Sequence, residues 1–288
     1  MLKNILPNYE NQPDYKYQIR LNDILYSNPR FAVLTSELLN KVDIAVIEKN
    51  YRKLFSGVKG GKMYIVGDIA PETLKPLLEK YIAALPKGKA TKEVEIDRGY
   101  PKADVIDSFR TQMESPKTTV GMFWLSDMKY SVRNEILANI LNSALDLTYT
   151  KTVREEAGGT YGVGTSVSIS PIGKKNNAMV VVQFDTNEDK VAELVPIVKN
   201  GLQGIAENGV SAEYMTKILE NMNKVYKENQ INNGYWSGLL KSYYGQGIEK
   251  YENYVEVLNS LTSEDVKEFA STLLKKARYI ECVMNPEK

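Results

Sequence analysis

Apolar residues recur along this chain in two periods, and the alternation between them lays out the elements. Residues 1–20 show neither period. They are polar, hold Pro7 and Pro13, and read as an extended or irregular lead-in. From Thr35 a helical spacing sets in, with Leu38, Leu39 and Val42 on one face. Asp43 is placed to cap a second helix carrying Ala45, Val46, Tyr51, Leu54 and Phe55, and the glycines at 57, 60 and 61 stop it. "KMYIVGD" (62–68) reads as a short buried strand. Ala70–Pro71 then opens a helix whose inward stripe is Leu74, Leu77, Leu78, Tyr81 and Ile82. "LPKGKATKE" (85–93) combines Pro, Gly and Lys and reads as a linker.

Beyond it, 105–112 and 118–125 read as strands, and 132–156 as a long helix with Ile136, Leu137, Ile140, Leu141, Ala144 and Leu145 on one face. Tyr161, Val163, Thr165, Val167 and Ile169 then alternate with small residues, the period of a strand with one buried face. "AMVVVQFDT" (178–186) reads as its hairpin partner. Helical segments follow near 188–207, 212–231, 235–245 and 249–259. A last helix starts at Thr262, which with Asp265 makes a capping-box pattern, and "RYIECVM" (278–284) returns as a strand. Strands in hairpins and helices in runs predict an α+β fold, a two-layer arrangement with helices packed on one face of a largely antiparallel sheet.

Composition narrows the chemistry. The 288 residues hold 37 Lys plus Arg against 36 Asp plus Glu, so no basic field drives nucleic-acid binding. The longest apolar runs are too short to span a bilayer and the first residues lack a signal-type apolar region, which implies a soluble chain without a membrane partner and leaves the compartment open. The single cysteine, Cys282, excludes an intrachain disulfide. The sequence contains no histidine, which rules out Ser-His-Asp and Cys-His catalysis within the chain and removes the usual imidazole ligands of catalytic zinc.

The most informative stretch is "VREEAGGTYGVGTSVSIS" (153–170), where a charged helix end meets two glycines and then a strand. As a phosphate cradle it runs in the wrong order, helix before glycines before strand. Arg154 in a last helical turn suits the helix dipole, and Tyr161 at a strand mouth suits packing, so a structural role stays open for both. The other reading is that a turn at Gly158–Gly159 aims a guanidinium and a phenol at one space. Both are donors and neither is a base at neutral pH, which suits holding a carbonyl oxygen or an oxyanion. Glu155 and Glu156 read as solvated charges, and Trp236 and Tyr243–Tyr244 as helix packing.

At these residues the sequence resembles the pitrilysin/insulinase (M16) family of zinc peptidases, which includes the mitochondrial processing peptidases. Arg154, Glu155, the glycines and Tyr161 match that family's second-half signature. "ILANILNSALDLTYTKTVREE" (136–156), "GVSAEYMTKILENMNKVYKEN" (209–229) and "TSEDVKEFASTLL" (262–274) resemble the helices around it. "LTSELLNKVDIAVIEKNYRKLF" and "KMYIVGDIAPETLKPLLEKYIAALP" resemble the end of a preceding domain of the same kind. The resemblance implies two halves closing around a peptide. The first half holds zinc through His-x-x-Glu-His, and the second contributes the Arg/Tyr pair as substrate ligands. With no histidine, this chain corresponds to the C-terminal portion: 1–95 the truncated end of a preceding domain, 96–288 a nearly complete one. No residue here is expected to be catalytic or to bind metal, and zinc belongs to the full-length enzyme. The implied partners are a peptide or protein substrate and an N-terminal catalytic half, in the same polypeptide or a separate subunit, with self-association through the truncated domain. The alternative is a scaffold or partner subunit of this fold with no role in proteolysis.

Overall fold

The computed structural model describes residues 2–90, 94–173 and 175–287. In chain order the elements are α1 (Leu2–Glu10), α2 (Pro13–Leu25), α3 (Ser36–Asn40), α4 (Ile44–Leu54), α5 (Pro71–Tyr81), β1 (Val105–Thr111), β2 (Thr118–Ser126) and α6 (Val132–Tyr149). After a π-helical turn (Thr150–Glu156) come β3 (Val163–Ile169), β4 (Ala178–Thr186), α7 (Val191–Asn208), α8 (Ala212–Asn229), α9 (Asn233–Leu240), α10 (Tyr254–Ser260), α11 (Ser263–Lys275) and β5 (Arg278–Pro286). They fall into two compact units: Met1–Ser36 with Ile96–Asn223 and Tyr254–Lys288, and Glu37–Glu95 with Lys224–Asn253.

The first unit is built on one sheet of strand order β1-β5-β2-β4-β3. Only β1–β5 is parallel; the other three pairings are antiparallel. The α+β arrangement follows the strand and helix periods of the sequence, and the β3–β4 hairpin pairs Val163 with Phe184 through Ile169 with Ala178. On the helix face, Val120, Met122 and Trp124 of β2 and Val180 and Val182 of β4 meet Ile136, Leu137, Ile140, Leu141 and Leu145 of α6, Leu194, Val198 and Leu202 of α7, and Val266, Phe269 and Leu273 of α11. Ser131 starts α6 by accepting the Asn134 amide at 3.0 Å. Its last residue, Tyr149, is fully buried and donates its hydroxyl to the Val198 carbonyl at 2.8 Å. Gly201 makes room for that ring, since a Cβ there would lie 2.5 Å from Tyr149 Cε1. Thr262 and Asp265 form the capping box that opens α11.

The N-terminus departs from its sequence reading. Residues 2–10 and 13–25 are helical, not irregular, and α2 covers part of the sheet face opposite the main helices. Pro13 stands in the first turn, where its missing amide hydrogen costs nothing. Tyr17 and Leu25 pack with Phe123, Leu125, Ile280, Cys282 and Met284, and Arg20 pairs with Asp107 at 2.5 Å. The tyrosines and isoleucines of this stretch hid its helical stripe because polar residues interrupt it on both sides.

The second unit has a helix layer and, among its described residues, no strand. Asp43 caps α4 as read, accepting the Ala45 amide at 2.8 Å. Residues 62–68 are neither a strand nor buried. Their side chains do alternate: Met63 and Ile65 line a groove of about 310 Å³ with Leu78, Ile82 and Ala83, while Lys62 donates to the Tyr244 carbonyl and Tyr64 stacks on Tyr244 at 6.4 Å. No described strand offers these residues a ladder partner. The α5 stripe is likewise uncovered, with Leu77 and Tyr81 exposed. The linker reading holds no free tether at its start, because the Val58 and Lys59 amides donate to the Pro86 and Lys87 carbonyls at 2.9 and 2.8 Å; residues 91–93 lie outside the described residues. Trp236 packs on Tyr235 and Tyr251 and donates to the Gln230 carbonyl, as expected of helix packing.

Candidate functional site

The site is assembled where α6 ends. From Thr150 the helix widens into a π turn, and the Ala157 amide bonds back to the Thr152 carbonyl at 3.2 Å. Such widened turns recur at functional sites because they re-aim side chains without ending the helix. Here the turn sends Val153 into the core and leaves Arg154, Glu155 and Glu156 exposed. Gly158 then adopts φ +60°, a conformation that disfavours any side chain. Gly159 lies against Leu194 so closely that a Cβ would fall 2.7 Å from Leu194 Cδ1. Its carbonyl accepts the Thr186 hydroxyl at 2.5 Å, and the Gly162 amide donates to the Thr160 hydroxyl at 3.2 Å. Four contacts therefore pin the backbone between helix and strand.

Tyr161 stands at the crest of this pinned loop, fully exposed, two residues before β3 begins. The sequence reading placed it on the strand with a buried face; the structure lifts it off the sheet. Arg154 is exposed at the other end of the loop. Among the described residues no hydrogen bond, ion pair or cation–π contact engages either side chain, and none joins one to the other. The two donors bracket the glycine joint with their hydrogen-bonding capacity unspent.

A brace not singled out from the sequence lies beside them. β3 is an edge strand. The Val167 amide donates to Asn142 Oδ1 at 3.0 Å, and the Thr165 hydroxyl bonds both Asn142 and Asp146. Asn142 and Asp146 are four apart on α6 and bond each other at 3.2 Å. A polar pair at that spacing on the helix, followed by a threonine-bearing strand, was the available signal. The brace ties α6 to β3 and so fixes the loop between them.

Another concavity of about 310 Å³ is lined by Trp124, Lys199, Asn200, Leu202, Gln203, Leu274 and Tyr279, and the Lys199 ammonium and Tyr279 hydroxyl in it are already paired. Lys199 sits 4.0 Å above the Tyr279 ring and 3.5 Å from Glu281, and the Tyr279 hydroxyl donates to Glu281. Burial and that carboxylate push the Tyr279 hydroxyl well above the usual phenol range. The residues present do not fit a zinc site: the sequence has no imidazole, and no group of three His, Cys, Asp or Glu among the described residues is placed to hold a metal ion. No described helix is long and apolar enough to cross a membrane.

A family model described as Peptidase M16 inactive domain matches residues 41–222, and the chain belongs to this family. It is similar to the probable zinc protease PqqL of Escherichia coli, with 19% identity over 224 residues, covering 76% of this chain and 23% of that protein. The crystal structure of that periplasmic protease superposes with a TM-score of 0.82 at 17% identity, over 99% of this chain and 32% of its own. An M16 inactive domain from Pseudomonas fluorescens gives 0.74 at 19% identity, over 100% of this chain and 70% of its own. The first half of PqqL gives 0.68 at 13% identity, over 99% and 65%. The chain thus spans about a quarter to a third of the length of PqqL, and at these identities the likeness establishes the fold.

Proposed function

We propose that this chain is the substrate-binding, non-catalytic C-terminal half of an M16 zinc metalloendopeptidase. It holds an extended peptide near a zinc site supplied by an N-terminal half, either in the same polypeptide or as a separate subunit. The observation that carries this reading is a pair of unspent donors on a loop whose backbone is held by several contacts. Arg154 and Tyr161 have no partners among the described residues, yet contacts with Thr186, Leu194 and Thr160 and the π turn hold the backbone between them. A loop kept rigid while its two best donors face water suits a ligand rich in acceptors, and a peptide main chain offers a carbonyl at every residue.

In this role the guanidinium and the phenol donate to a substrate carbonyl or to the oxyanion that develops at the scissile bond. Donors already in place cost no reorganisation as charge develops. The nucleophilic water would come from the other half, since the sequence has no histidine and no group of three His, Cys, Asp or Glu among the described residues is placed to hold a metal ion. The domain reading belongs to the same proposal: 1–95 comes from a preceding M16-like domain and 96–288 is a nearly complete one, with the first 36 residues packed as part of the latter's unit.

The test is turnover of a peptide by the enzyme assembled with its zinc-bearing half. Arg154→Ala and Tyr161→Phe should each lower kcat by about 10²–10³, with zinc content unchanged. Full turnover in both variants would overturn the assignment.

A further inference from the structure

The hydrogen bonds from Asn142 and Asp146 of α6 to β3 run in one series with a fixed direction. The Val167 amide donates to Asn142 Oδ1 at 3.0 Å, so the Asn142 side chain turns its nitrogen the other way, where it donates to Asp146 Oδ2 at 3.2 Å. The Thr165 hydroxyl donates to the other oxygen of Asp146 and lies 3.2 Å from Asn142 Oδ1. A group that accepts and donates thus stands next to the strand amide, and a group that only accepts stands behind it. The series has one alternative spelling. A carboxylate at 142 would accept both the strand amide and the nitrogen of an amide at 146, and the oxygen of that amide would accept Thr165.

The series joins the two elements that carry the exposed donors. Arg154 rides on the π turn that prolongs α6, and Tyr161 stands two residues before β3. Their separation therefore follows the position of α6 along β3. Leu141 and Leu145 of α6 share one core with Val167 and Ile169 of β3. That apolar contact resists parting of the two elements, but it is non-directional and selects no register between them. Hydrogen bonds are constrained in both length and angle, and they do select one.

We propose that Asn142 and Asp146 are positioning residues for peptide binding. Their bonds to Val167 and Thr165 set α6 at one register on β3, and so hold Arg154 and Tyr161 at the separation a bound main chain requires. The proposal rests on the peptide-holding role of that pair. Asn142 and Asp146 act through the two donors, not by touching the peptide.

Equilibrium binding of a fluorescently labelled unstructured peptide to the whole chain tests it, under conditions where urea curves show every variant fully folded. Asn142→Asp sets two carboxylates against each other, and Asp146→Asn sets two amide nitrogens against each other. Each should weaken binding by roughly 5–10-fold, the equivalent of one hydrogen bond. The double exchange Asn142→Asp/Asp146→Asn should return affinity to within ~2-fold of the parent, because every bond of the series is made again. A role in folding alone would lower the urea midpoints and leave the affinity of the folded chain as it was. In the Arg154→Ala/Tyr161→Phe background, Asn142→Asp should have no further effect on binding. With Arg154→Ala/Tyr161→Phe still weakening binding, three results would each overturn the proposal: single exchanges without effect, a double exchange without recovery, or an equal loss in the donor-free background. If Arg154→Ala/Tyr161→Phe itself changed nothing, the peptide-holding role would fall, and this inference with it.

Discussion

Helices α6 and α4 start alike and end in different surroundings. Each opens on a side-chain cap, Ser131 for one and Asp43 for the other, and each carries apolar residues at helical spacing. In α6, Ile136, Leu137, Ile140, Leu141 and Leu145 are almost wholly removed from water, because β2, β4 and α7 stand opposite. In α4 the corresponding stripe faces solvent, and the extended segment 62–66 of its unit has no ladder. The pattern within a helix says which face seeks burial; only an opposing layer provides it. The first unit owns both layers. The second owns one.

The largest effect that would break this comparison is a truncation made in both helices. Leu141→Ala should cost about 2–5 kcal/mol, the range for emptying a close-packed site. Ile44→Ala, made at a concentration where the chain is monomeric, should stay within ~0.5 kcal/mol. Urea unfolding followed in the unit that carries each substitution measures both, and equal losses would erase the distinction between the units.

A smaller effect sharpens it through pH. Burial, with Asp107 adding to it, pushes the Cys282 thiol up to about 12, and burial against Tyr26 pushes the Tyr100 hydroxyl up to about 12. Burial raises Tyr17 and Tyr149 further still. All four lie in the first unit. Unfolded, the thiol ionises near ~8.5 and phenols near ~10, so the folded state keeps protons that the unfolded state has released. Their contribution is therefore complete below pH ~8.5 and is lost as pH rises toward 12, by roughly 1.4 kcal/mol per pH unit for each group in that condition. Urea midpoints should fall steadily above pH ~9, and the Tyr149→Phe variant should show a shallower fall. A flat profile to pH 11 would contradict the burial of these groups.

Much of the first unit was legible in the sequence because its elements satisfy each other. The β3–β4 hairpin, α6, the Thr262 cap and the closing strand β5 all stand where their periods place them. Residues 2–25 were not legible as helix, since their stripe is short and broken by Pro7, Pro13 and charged residues, and its partner is the far side of a sheet. "KMYIVGD" misled in the opposite way. It has strand chemistry and alternating side chains, yet no described strand stands beside it, which no local pattern reports. At the site, the spacing of Arg154 and Tyr161 drew notice to the loop, and the glycines' role as close-packing points is visible at Gly159. The Asn142–Asp146 brace and the π turn depend on the approach of α6 to an edge strand, a tertiary fact the sequence carries only as an i,i+4 polar pair.

The central claim is that the loop after α6 is stiff for the sake of a peptide and not for the sake of the fold. Equilibrium binding of a fluorescently labelled unstructured peptide to this chain, compared with the Arg154→Ala/Tyr161→Phe double variant, tests it most directly when both unfolding midpoints are measured alongside. Unchanged stability with affinity reduced by ~10-fold or more is expected, since the two lost donors make no hydrogen bond or ion pair among the described residues and only the ligand misses them. Equal affinity in the two proteins, or a loss of stability that accounts for the loss of binding, would contradict it.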